Sequence, residues 1–111
     1  MLINELKTLP KEVQDFVWDV ISDFNDEISV KYSFDFDQFE FFNKLEDDIL
    51  LKKTKVVDLP INLEKMPGEF QGDVRKLALQ MAKEIFWPLQ EHLEQVDRLI
   101  LRLGGKVPRL V

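Results

Sequence analysis

Three carboxylates spaced by threes, Glu91, Glu94 and Asp97, surround the only histidine of the chain, His92. Acidic residues three apart on one helical face can converge on a hard cation such as magnesium, and a histidine beside a carboxylate can move a proton. A second acidic set, Asp15, Asp19 and Asp23, has helical spacing too. The neighbours of His92 argue against a metal site there. A helical ligand pair wants a second histidine or a carboxylate four residues away, and positions 88 and 96 are Pro and Val. Glu91, Glu94 and Asp97 project away from the apolar seam of their segment, with Lys83, Arg98 and Arg102 nearby, as on an ordinary solvated helix.

Other chemistries have less to build on. Ser22, Ser29 and Ser33 lie in or near one helical segment, without a glycine elbow or a nearby histidine. The four glycines form no phosphate-cradling loop. The chain has no cysteine, which excludes disulfides, thiol catalysis and cysteine-held metals. No catalytic residue, metal ligand or cofactor is expected.

Three periodic segments must position whatever function the chain has. Pro10 suits a first helical turn, and Val13, Phe16, Val17, Val20, Ile21, Phe24 and Ile28 follow at helical steps. A helix is predicted over about 10–31. Asp15, Asp19, Asp23 and Asp26 line one flank of it as an acidic ridge. Five of the nine phenylalanines fall at Phe34, Phe36, Phe39, Phe41 and Phe42. Asp37 with Glu40 resembles a capping box, and Phe39, Phe42, Leu45 and Ile49 share a face, so a second helix is predicted over about 38–53. Pro60, Pro67, Gly68 and Gly72 mark 54–72 as a connector, with either a short extended piece at Val56-Val57 or one helical turn starting at Asp58-Leu59-Pro60. Its apolar residues Leu59, Ile61, Leu63 and Met66 suggest that it packs on the core.

Asp73 then reads as an N-cap. Ala78, Ala82, Ile85, Leu89, His92, Val96, Leu99 and Leu103 follow in alternating steps of four and three, a heptad-like seam ending at Gly104-Gly105. Residues 104–111 form a basic tail. A straight helix over 73–103 would span about 46 Å. A 111-residue domain is roughly 34 Å across. Either Pro88 kinks or breaks the helix, or the overhang pairs with a second subunit. Trp18 and Trp87 lie off the main apolar faces, where an amphipathic ring can anchor an interface.

Charge divides the chain. Residues 1–50 hold four basic and thirteen acidic side chains, a net of −9; residues 51–111 hold eleven and eight, a net of +3. This split suits head-to-tail complementarity, within the chain or between copies, or an acidic face for a basic partner. The basic tail alternates with Leu and Val and lacks the aromatic and amide residues that read bases, so nucleic acid is not the expected partner. The longest apolar run is three residues, far too short to span a membrane, and the start lacks signal-peptide character.

The expectation is one all-α, cytoplasmic domain over 1–111: a small bundle of two amphipathic helices plus a long C-terminal helix kinked near Pro88. The expected function is a noncatalytic protein–protein interaction module. It would dimerise through the long helix, with interface residues Trp18, Ala82, Ile85, Trp87, Leu89, His92, Val96, Leu99 and Leu103. Two alternatives stand beside it. One is an antitoxin- or immunity-like inhibitor that sets Asp15, Asp19, Asp23 and Asp26 against a basic partner. The other is a magnesium-dependent all-α nucleotide hydrolase.

Overall fold

A computed structural model describes residues 1–108; Arg109, from the expected basic tail, lies outside the described residues. Among the described residues every regular element is helical, as the periodicity predicts. Helix α1 is the short turn Ile3–Leu6. Helix α2 covers 11–31, α3 is Phe36–Leu50, α4 is Leu59–Leu63, α5 covers 74–86, and α6 is Val96–Arg102. No helix is long and apolar enough to cross a membrane among the described residues.

Pro10 caps α2 from just outside instead of opening its first turn, with an extended backbone at φ −54°, ψ 148°. The helix then contains a π turn at Val17–Ile21 between the regular segments Lys11–Phe16 and Ser22–Lys31. The reason lies in the spacing of apolar residues. On a regular wheel, Ile21, Phe24, Asn25 and Ile28 run about 75° ahead of Val13, Phe16 and Val17. A π turn winds less per residue and absorbs nearly that lag. Ile21, Phe24 and Ile28 therefore share the core with Val13. Val20, expected on the apolar stripe, is turned outward to 38% exposure.

Helix α3 starts two residues before the predicted position. Its capping box is Asp35 with Gln38, not Asp37 with Glu40. The Gln38 backbone N–H donates to Asp35 Oδ1 at 2.8 Å, and the Asp35 N–H donates to Gln38 Oε1 at 3.0 Å. A glutamine can fill this position while buried, because its amide also donates to the Glu69 carbonyl at 3.1 Å. Glu40 has no such partner and stays exposed. The helix stops at Leu50, short of the predicted 53, because Lys52 takes a left-handed backbone at φ 61°.

The connector packs on the core through Leu59 and Leu63 as expected, with Met66 half-buried, but Ile61 turns outward at 61% exposure. A 3-10 turn, Val56–Asp58, leads into α4, and Val56, Leu59 and Leu63 are buried. Before α5, the rings of Tyr32, Phe34, Phe42 and Phe70 form one cluster, with Tyr32 and Phe70 centroids 5.0 Å apart. Gly72 lies against it so closely that an added Cβ would stand 2.5 Å from the Tyr32 ring.

The single helix expected over 73–103 is two helices. Asp73 caps α5 through the Arg75 and Lys76 backbone N–H groups. The segment Val74–Met81 continues through a second π turn, Ala82–Phe86, and a 3-10 turn, Trp87–Leu89. Residues 90–95 then turn the chain, and Gln95, left-handed at φ 68°, opens α6. Helix α6 packs back on Ala82–Phe86 and on Val56–Asp58. The molecule measures 35 × 35 × 22 Å, so a straight helix of about 46 Å would have overrun it.

The Gly72–Tyr32 contact yields a specific expectation. Gly72→Ala should cost about 1–3 kcal/mol in urea unfolding, by forcing the aromatic cluster apart. Gly104, whose added Cβ would meet nothing within 4 Å, has no steric obstacle, and its alanine variant tests only its φ of 81°. Full stability of the Gly72 variant would show that the ring moves freely.

Candidate functional site

The predicted interface residues separate into two groups. Ala82, Ile85, Leu89, Val96 and Leu99 are buried inside a single chain, at 7% exposure or less. Trp87, His92 and Leu103 are half-buried. Most of the seam is therefore the chain's own core, which argues against the expected dimer interface through 78–103. The physical reason is that a heptad-like stripe suits the central helix of a bundle as well as a coiled coil. Folding back at residues 87–95 covers it from within.

His92 has a structural partner. Its Nε2 lies 2.8 Å from the Leu50 carbonyl oxygen, so Nε2 carries a proton and donates it. This bond ties the turn between α5 and α6 to the end of α3. Glu91, Glu94 and Asp97 do not share a helical face, because left-handed Gln95 separates the first two from α6. Among the described residues no three His, Asp or Glu side chains gather as a metal site would need.

Trp18 belongs to the other group. It sits inside the π turn of α2 and is 67% exposed. Asp15 precedes it by three residues and Asp19 follows it directly; Asp23 and Asp26 continue along the helix, and all four are exposed. Asp15 pairs with Lys11 on the surface, a contact worth little. Among the described residues Asp19, Asp23 and Asp26 form no ion pair. The outer side of α2 thus presents an exposed indole on a helix that also carries four exposed carboxylates. That arrangement can bury an aromatic anchor while attracting cations at its rim.

A polar cluster that the sequence reading missed lies beneath the opposite side of α2. Asn25 Nδ2 donates to Glu46 Oε1 at 2.5 Å and to Asn43 Oδ1 at 2.7 Å, joining α2 to α3. Glu46 is 1% exposed, and among the described residues neither its Oε2 nor Asn25 Oδ1 has a partner. Burial pushes the Glu46 carboxyl well above the usual carboxylate range, and nearby Asp47 adds to the rise against the Asn25 hydrogen bond. A signal for it existed: Phe42, Glu46 and Leu50 are four residues apart, so Glu46 occupies a core line.

Comparison with protein-family models, curated proteins and solved structures finds no match to this chain. The geometry alone therefore carries the functional argument.

The raised Glu46 carboxyl has a definite pH signature. Above its ordinary value of 4.5, the unfolded chain releases a proton that the folded chain keeps. Stability from this group is full below that value and falls as pH rises towards the native value. Asp47, also raised by burial, adds the same sign, whereas Glu5, held low by exposed Lys53, works in the opposite sense. Glu46→Gln keeps an acceptor and removes the ionisable group. It should raise stability at alkaline pH by about 1–3 kcal/mol and flatten the decline in urea titrations. An unchanged pH slope in the glutamine variant would contradict this.

Proposed function

We propose that the chain is a noncatalytic, cytoplasmic protein–protein interaction module that binds a basic partner surface through the outer side of α2. Trp18 is the anchor, and Asp15, Asp19, Asp23 and Asp26 steer and orient the partner. The observation that carries this reading is a tryptophan 67% exposed within a π turn, on a helix whose Asp19, Asp23 and Asp26 are exposed and, among the described residues, in no ion pair. Such turns recur at functional positions, and tryptophan is enriched among residues that dominate binding energy. An acidic rim accelerates encounter with a basic surface and makes binding fall with salt. An antitoxin- or immunity-like inhibitor masking a basic toxin or nuclease face is one form of this function. Self-association through the 78–103 seam is not retained, since most of those side chains already fill the core. The magnesium-dependent hydrolase reading has less support, given the separation of Glu91 and Glu94 from Asp97.

Immobilised protein should retain a basic protein from lysate of the cells that make it, and salt should elute that protein. Trp18→Ala should weaken retention by about 30-fold, the equivalent of roughly 2 kcal/mol, while leaving unfolding stability within about 0.5 kcal/mol. If the alanine variant retains the same proteins as wild type, the proposal fails.

A further inference from the structure

The C-terminal half of the molecule carries a surface that answers the one on α2. Arg75 Nη2 donates to the Arg102 carbonyl at 3.3 Å. Gly105 sits against the side chains of Leu79 and Lys83. Arg75, Leu79 and Lys83 are four residues apart on α5, so they form one stripe. These contacts gather Arg75, Lys83, Arg102 and Lys106 about the end of α6, all four exposed. Leu101 lies in the same helix end and is 59% exposed. From Arg98 to Pro108 there is no acidic residue. Among the described residues none of these four cations forms an ion pair. Among the described residues the one ion pair joining the acidic first half to the basic second half is Lys53 with Glu5, so these four cations take no part in neutralising the −9 of the first half.

We infer that the basic partner of the Trp18 face is a second copy of this chain, docking the Arg75, Lys83, Arg102 and Lys106 surface head to tail. This rests on the binding role proposed for α2. Charge complementarity selects the occupant. Among the described residues Asp19, Asp23 and Asp26 on α2 and the four cations about α5 and α6 form no ion pair, and both faces are present at equal concentration in any solution of the protein. Leu101 offers an apolar contact for the Trp18 ring. A contact between unlike faces leaves one of each free on every complex. Growth therefore continues into rings or open chains instead of stopping at a symmetric dimer. The overall charge of −6 opposes every encounter, so association is weak and strongly salt-dependent.

Sedimentation of the full chain tests this. In about 0.01 M salt the average mass should climb with concentration past that of a dimer, and in about 1 M salt it should return to the 13.1 kDa monomer. Two folded variants, checked by thermal melts, separate the faces. Asp19→Asn with Asp23→Asn halves the charge of the acidic face, and Arg102→Gln with Lys106→Gln halves that of the basic one. Each variant alone should lose at least about tenfold in association constant. Their mixture should form a one-to-one pair and stop there. Trp18→Ala should weaken association without shifting the melt. A wild type that stays monomeric at low salt overturns the inference. If that monomer still retains a basic protein in a Trp18-dependent way, the binding role of α2 survives with a different partner. If Trp18→Ala changes no binding at all, both readings fall.

Discussion

A helix begun at Val74 and continued straight to Leu103 would be longer than the globule that must bury it. Everything in the C-terminal half follows from how this conflict is resolved. Pro88 removes a backbone donor, Gln95 adopts a left-handed backbone, and the chain reverses so that Val96, Leu99 and Ile100 meet Ala82, Ile85 and Phe86. His92, donating to the Leu50 carbonyl, fastens the reversal to α3. Because the seam closes on itself, Ala82, Ile85, Leu89, Val96 and Leu99 are spent on the chain's own core. Candidate contact surfaces are then the charged outer faces.

Much of this architecture could be read from the residues. The all-helical class follows from the periodicity of three segments, Asp73 caps α5 where its position suggests, and the turn at Asp58-Leu59-Pro60 forms and buries Leu59. The sequence reading was least informative where two structures share one pattern. A stripe at steps of three and four fits a self-contained bundle and a dimer seam equally, so Ala82 and Ile85 pointed as well to the wrong site as to the core. Asp35 and Asp37 are both followed three residues later by a side chain able to complete a capping box. The choice depended on whether Gln38 or Glu40 could be buried, which is set by the distant Glu69 carbonyl. Trp18 was identifiable as lying off the apolar stripe.

The two polar features of α2 are opposites in physical terms. On the inner side, Asn25 and Glu46 place polar groups where water is excluded. An unpaired oxygen there is costly, and a charge costlier still. On the outer side, the exposed carboxylates stay solvated and cost nothing to keep. The inner cluster makes the packing of α2 on α3 depend on protonation. The outer one leaves the surface responsive to ionic strength. One helix thus couples the molecule to two solution variables through two different faces.

The π turn at Val17–Ile21 holds one residue of slack. In a regular helix, loss or gain of a residue throws every later side chain onto the wrong face, which is why helices tolerate such changes poorly. Here the extra residue is already accommodated, and removing one residue within the turn would return α2 to uniform winding without disturbing either half. Trp18 lies off the stripe of Val13, Phe16 and Val17 by its spacing alone, so its place on the surface does not depend on that extra residue. A single-codon deletion within Val17–Ile21 is therefore the one length change in α2 that keeps Val13, Ile21, Phe24 and Ile28 together in the core.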